Sequence, residues 1–256
     1  MKPEYDILIV EDEPVVIKSV DRILSADGIT LDACTDTRTA LRKIYEQDYR
    51  MVISDLMMPG VSGLQFLQEL KEIKPDMQVV IISGYATRDS CIESFTLGAF
   101  DFIPKPFDIE ELLGTVHRCL YYIDIPGNQG FVYETQPRRD DCMAECFYLL
   151  GKHAWVCTDE DTAVMGLGST FSGLYDIRHI EFPPENNMVN QGEFFLRIID
   201  KREYEHRVCA PLSGRIVEHN DRALAELQEG SPATAPWLVR MQPVNLAKEL
   251  VVLRQT

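Results

Sequence analysis

Five short runs rich in β-branched residues, at 5–10, 30–33, 51–54, 78–83 and 99–103, alternate with longer amphipathic segments. The clearest segment covers 14–26, where Val16, Ile17, Val20, Ile23 and Leu24 recur at helical spacing. Another covers 37–47, capped by Asp36 or Thr37. A third covers 62–73, where Ser62 caps a helix carrying Leu64, Phe66, Leu67 and Leu70. Segments 88–97 and 109–123 complete the series. Five β-α units predict an α/β fold: a five-stranded, doubly wound parallel sheet with helices on both faces.

The pattern breaks at 125–145, IPGNQGFVYETQPRRDDCMAE, which reads as a linker. A different texture follows. Strand-like runs at 154–158, 163–167, 176–182, 193–199, 206–210, 214–219 and 237–241 are divided by turn signals such as Pro183-Pro184, Gln191-Gly192 and Ser213-Gly214. Helical pieces are expected near 171–175, 222–229 and 246–250. The chain thus divides into an α/β domain at 1–124, a linker, and a mainly β domain at 146–256.

Composition narrows the function. The chain has 256 residues, enough for two cores, and a net charge of −16. Residues 1–125 hold 22 acids against 12 bases, and residues 126–256 hold 19 against 13. Both halves are acidic, so a DNA-binding output is disfavoured, since it needs a basic face. No apolar run reaches the ~18–20 residues of a membrane span, and the opening residues do not read as a signal peptide. Seven scattered cysteines point to a reducing cytoplasm rather than a disulfide framework. Cys142, Cys146, His153 and Cys157 match no strong zinc spacing.

Open parallel sheets place their reactive groups beyond the carboxyl ends of the strands. Glu11 and Asp12 follow the first run, Asp55 ends the third, Ser83 ends the fourth and Lys105 follows the fifth. Asp55 is a candidate nucleophile that holds a phosphoryl group as an acyl phosphate. Three carboxylates this close repel one another by about 4 kcal/mol per pair at ~4 Å and an effective dielectric near 20. A hard cation such as Mg²⁺ relieves that repulsion, with Glu11, Asp12, Asp55 and the Met57 backbone carbonyl as ligands. Lys105 and Ser83 supply an ammonium and a hydroxyl for phosphoryl oxygens. Lys105 stands between two prolines, and the isomer of the Lys105–Pro106 bond is open at this level.

The segments ILIVEDEP, VISDLMMPGVSGLQFL, VIISGY and GAFDFIPKPF, in register over 1–124, resemble two-component response-regulator receiver domains. The resemblance implies Glu11 and Asp12 as metal-binding acids and Asp55 as the phosphorylated residue. It implies Ser83 as switch hydroxyl, Phe102 as switch aromatic and Lys105 as the phosphate-sensing lysine. Phe102 lacks the hydroxyl of the tyrosine often found there; its bland reading is core filler. The resemblance further implies a histidine kinase as partner.

HAWV at 153–156, AVMGLG at 163–168, LYDIRHIEFPPENNMVNQGEFF at 174–195, IIDKREYEHRVCAPLSGRIVEHN at 198–220 and APWLVRMQP at 235–243 resemble the glycine cleavage system H protein, a lipoyl-carrier β fold of the barrel-sandwich type. In that family a hairpin lysine carries lipoate, eight residues before the proline of a P-x-S-G turn. Counting back from Pro211 gives Glu203, which cannot form the lipoyl amide. Lys201, two residues earlier, is a surrogate that the strand period would keep on the same face. The expectation is a cytoplasmic response regulator, not an enzyme beyond its own phosphorylation and dephosphorylation. Its degenerate H-like domain would bind an unidentified protein partner. The alternative is a phosphorylation-controlled lipoyl or acyl carrier using Lys201.

Overall fold

The computed structural model describes residues 3–125, 146–158, 161–171, 177–228 and 236–255. The linker expected at 125–145 lies, apart from Ile125, outside the described residues, as does most of the helical piece expected at 171–175. Two compact units are distinguished by their contacts. The first comprises residues 1–86 and 97–125, the second residues 87–96 and 126–256.

The first unit is built on strands β1 (Ile7–Val10), β2 (Leu31–Cys34), β3 (Met51–Asp55), β4 (Gln78–Ser83) and β5 (Asp101–Pro104). All are parallel, in the order β2-β1-β3-β4-β5. Helices α1 (Pro14–Ala26), α2 (Thr37–Glu46) and α3 (Gly63–Ile73) follow the first three strands in turn; α4 (Arg88–Thr96) and α5 (Ile109–Asp124) are the remaining two of this half. Strand alternation explains the two layers. Ile7, Ile9, Met51, Ile53, Val80 and Ile82 form one core with Val20 and Leu24 of α1 and Leu112, Val116 and Cys119 of α5. The intervening Leu8, Val10, Val52, Val79 and Ile81 are fully buried as well, as a sheet covered on both faces requires.

Local sequence accounts for the helix starts. Pro14 opens α1, where its missing N–H is not needed. Asp36 is the cap of α2, accepting from Thr39 N at 2.8 Å. Ser62 and Gln65 form a reciprocal capping box at α3. Buried in the same unit, the Arg118 guanidinium of α5 pairs with the Asp101 carboxylate of β5 and lies 5.2 Å over the Phe100 ring. Burial raises the Asp101 carboxyl and outweighs the opposing pull of Arg118, while burial lowers Arg118.

The second unit is mainly antiparallel. Its larger sheet contains β6 (Cys146–Leu150), β7 (Ala154–Thr158), β8 (Ala163–Leu167), β10 (Met188–Val189), β13 (Gly214–His219), β14 (Trp237–Pro243) and β15 (Arg254–Gln255), in the order β10-β13-β14-β8-β7-β6-β15. A smaller sheet has the order β12-β11-β9, from β9 (Ile177–Glu181), β11 (Phe194–Asp200) and β12 (Glu205–Cys209). Short helices α6 (Ala223–Gln228) and α7 (Leu246–Glu249) fall where helical pieces were expected. Helix α4 belongs to this unit by its contacts. Its first turn is closed by Thr87 and Ser90, each hydroxyl accepting from the other's backbone N–H at 3.1 Å.

Cys157 is disulfide-bonded, whereas Cys34, Cys91, Cys119 and Cys209 are buried and in no disulfide.

Candidate functional site

The carboxyl ends of β1, β3, β4 and β5 bring Glu11, Asp12, Asp55, Ser83 and Lys105 together, whereas Phe102 lies within β5. Asp55 is the last residue of β3 and pairs with Ile82, one residue before Ser83. Glu11 and Asp12 follow β1 directly, and Lys105 follows β5. Ligand oxygens of Glu11, Asp12 and Asp55 lie within 4.8 Å of one another. Lys105 Nζ bridges two of these acids, at 2.6 Å from Glu11 Oε2 and 2.7 Å from Asp55 Oδ1. Glu11 is fully buried and Asp55 nearly so, whereas Asp12 is half-buried.

Electrostatics follow from that burial. Desolvation pushes the Glu11 carboxyl above its ordinary value, and outweighs the hydrogen bond from Lys105. Burial alone would lower the Lys105 ammonium. Hydrogen bonds to Asp55 and Glu11 reverse that and raise it, so the lysine stays charged.

The backbone around Asp55 is arranged for the same cluster. Met57 N donates to Asp55 Oδ2 at 2.6 Å, while the Met57 side chain is exposed. Gly63, at the start of α3, is a residue that the motif reading did not single out. A Cβ there would stand 2.2 Å from the Asp55 carbonyl oxygen, so only glycine lets the helix start this close to the strand end. A steric requirement of this kind leaves no trace in hydrophobic periodicity.

Ser83 is fully buried; its Oγ accepts from Tyr85 N at 3.0 Å, and its carbonyl accepts from Lys105 N at 2.7 Å. The Lys105–Pro106 peptide is cis. Phe102, paired with Ile81 in β5, is buried, with its N–H donating to Asp101 Oδ1 at 2.7 Å.

A response regulator receiver domain model matches residues 7–117, and a glycine cleavage H-protein model matches residues 147–256. The chain carries a receiver domain followed by a glycine cleavage H-protein domain. Among curated relatives, the DNA-binding transcriptional regulator NtrC of Escherichia coli (strain K12) is 29% identical over 149 residues, covering 56% of this chain and 32% of that protein. Regulatory protein VanRB of Enterococcus faecalis is 33% identical over 114 residues, covering 44% of this chain and 51% of the relative. The chain thus spans about a third of NtrC and half of VanRB. A solved structure of the receiver domain of NtrX from Brucella abortus is 35% identical, covers 45% of this chain and 98% of its own, and has a TM-score of 0.44. The receiver domain is thus similar in sequence to those of NtrC and VanRB.

In the H-protein domain, a hairpin joins β11 and β12. Glu203 stands at its turn in the left-handed region, φ +67°. Its N–H donates to the Asp200 carbonyl at 3.1 Å, and its carboxylate pairs with Arg178. Asp200 Oδ1 accepts from Arg202 N at 2.8 Å and Tyr204 N at 2.9 Å. Lys201 and Glu203 therefore both lie in the turn. The strand period that would have put them on one face does not apply there. No helix among the described residues is long and apolar enough to cross a membrane.

His153 Nε2 accepts from Cys209 N at 2.9 Å. That hydrogen bond and the disulfide at Cys157 engage two members of the zinc grouping that spacing had already disfavoured; the side chains of Cys142 and Cys146 lie outside the described residues.

Proposed function

We propose that the chain is a two-component response regulator in which Asp55 accepts a phosphoryl group from the phosphohistidine of a histidine kinase. The observation that carries this reading is the Lys105 ammonium within hydrogen-bond distance of both Glu11 and Asp55, beside a half-buried Asp12. Three carboxylates whose oxygens fit within one small sphere, partly desolvated, suit a hard divalent cation. Glu11, Asp12 and Asp55 would hold Mg²⁺, with the Met57 carbonyl as a further oxygen. When bound, the ion neutralises negative charge at the transferring phosphoryl group.

The chain's own residues do the rest. An Asp55 carboxylate oxygen attacks phosphorus in line, the phosphorus–nitrogen bond to the kinase histidine breaks, and the imidazole leaves. Lys105 then exchanges part of its hydrogen bonding from carboxylate to phosphoryl oxygen, and the Ser83 hydroxyl donates to another. Phosphorylation adds about −1.5 to −2 charges at the strand ends, which is what Ser83 and Lys105 respond to. Phe102 is assigned the switch aromatic; without a phenolic hydroxyl, its position follows packing alone.

The output of this reading is protein binding through the H-protein domain, in a cytoplasmic protein with no enzymatic turnover beyond the receiver's own. Glu203, at the position where a carrier needs lysine, supports it, and the acidic balance of residues 126–256 argues against DNA as the target. A pull-down from the native host, comparing Asp55→Asn with wild type charged with beryllofluoride and Mg²⁺, tests the output. Partners that differ between the two support it; identical partners count against a switch. Intact mass of the native protein tests the carrier alternative: a lipoyl-sized adduct lost in Lys201→Arg would establish it.

A further inference from the structure

Helix α4 sits on the β unit through contacts that leave almost no slack. Gly151 and Gly192 both have left-handed backbones, φ +54° and +81°. A Cβ on Gly151 would come within 2.4 Å of the Phe95 carbonyl oxygen, and one on Gly192 within 2.5 Å of the Arg88 carbonyl oxygen. Both ends of the helix are thus approached by backbone that only glycine can provide. The Phe95 ring stacks on His153 with centroids 4.1 Å apart. His153 is in turn tied to β12 by accepting from Cys209 N.

On the same helix, Cys91 Sγ lies 3.2 Å from Cys209 Sγ at the end of β12. Both residues are buried, at 1% and 0% exposure. A disulfide needs sulfurs about 2 Å apart, so joining these two requires an approach of only about 1 Å. In sequence the two are 118 residues apart. The disulfide at Cys157 places thiol oxidation in the same unit.

We propose that Cys91 and Cys209 are an oxidation site for hydroperoxides, and that their disulfide fixes α4 to β12. One thiolate attacks the terminal oxygen of the hydroperoxide. The oxygen–oxygen bond breaks, and the alkoxide leaves as an alcohol by taking up the proton that the thiol released on ionising. The sulfenic acid so formed is attacked by the second thiol; the sulfur–sulfur bond closes and water leaves. Two thiols are oxidised by two electrons and one hydroperoxide is reduced to alcohol and water. Burial keeps the oxidant out while α4 is seated. The first step therefore proceeds through transient opening of the helix, and reclosing brings the second thiol to the sulfenic acid. The site stands independently of Asp55, although Ser83 precedes the same helix in sequence by only four intervening residues, 84–87.

The test treats the full chain with tert-butyl hydroperoxide, blocks remaining thiols, digests without reductant and reads linked peptides by mass spectrometry. The expected result is a Cys91–Cys209 peptide, reversed by dithiothreitol and formed at least ten-fold more in the folded chain than in urea. Cys91→Ser and Cys209→Ser each lose it and instead accumulate a dimedone-reactive sulfenic acid on the remaining cysteine. Oxidation of other cysteines without this linkage, or equal yield in urea, overturns the proposal. Labelling of Asp55 by acetyl phosphate in Cys91→Ser is measured alongside, so that failure of the thiol pair is distinguished from failure of the receiver.

Discussion

Lys105 Nζ stands 2.7 Å from Asp55 Oδ1, and this one contact links the fifth strand end to the third. The lysine is also the cation that offsets the charge of the acidic cluster before any metal arrives. Replacing it with methionine removes a positive charge that repels a divalent cation at the same carboxylates. Mg²⁺ should therefore bind Lys105→Met more tightly, by up to about ten-fold, or ~1.4 kcal/mol, while the lifetime or yield of the phosphorylated form falls. Isothermal titration gives the first quantity and acetyl phosphate labelling the second. Weaker Mg²⁺ binding would show that the lysine organises the acids rather than competing for them.

The buried Asp101–Arg118 pair makes a separate claim about stability. Arg118→Met leaves a desolvated carboxylate without its guanidinium, which costs about 3–5 kcal/mol. Changing both partners, Asp101→Leu with Arg118→Met, should recover most of that loss, because the pair's net worth against apolar packing is small. Urea unfolding followed through the receiver checks both.

Acid should loosen the hairpin that carries Glu203. Burial alone would raise the Asp200 carboxyl. The hydrogen bonds from His206, Tyr204 N and Arg202 N outweigh it and hold Asp200 below its ordinary value. A carboxyl depressed in the folded state contributes stability that is fully present above its unfolded value of 3.8, and is lost as pH falls through the lower folded value. Amide exchange at 201–204 should thus accelerate, relative to the intrinsic rate, as pH drops below 4. Asp200→Ala should make that acceleration vanish, at a net cost of about 0.5–1.5 kcal/mol, because water reaches the freed donor of the exposed Arg202.

Glu203 offers a cheaper perturbation. Its left-handed backbone favours glycine, by about 1 kcal/mol, and its exposed pair with Arg178 contributes between ~0 and 1 kcal/mol. Glu203→Gly should therefore leave the thermal midpoint unchanged or slightly raised. A large fall would mean that the Arg178 pair, rather than Asp200, holds the turn.

Much of the fold was legible because local signals agreed. Pro14, the Ser62 cap and the apolar run at 78–83 each mark an element whose bounds sequence and structure share to within a residue. Strands 154–158, 163–167 and 214–219 were legible for the same reason. The strands Met188–Val189 and Arg254–Gln255 escaped notice, since two residues are too few to show a period. The cluster of Glu11, Asp12, Asp55, Ser83 and Lys105 was readable from strand ends alone. Gly63 was not, nor was the Cys91–Cys209 approach, because both depend on how close backbones pass in space.

The position that takes the phosphoryl group decides between Asp55 and every other acid. After exposure to acetyl phosphate and Mg²⁺, reduction with borohydride converts an aspartyl phosphate to homoserine, and peptide mapping reads the position. The predicted result is homoserine at position 55, dependent on Mg²⁺ and absent in Asp55→Asn. Label at Asp12, or at any acid outside the Glu11–Asp55 cluster, or label that persists in Asp55→Asn, would contradict it.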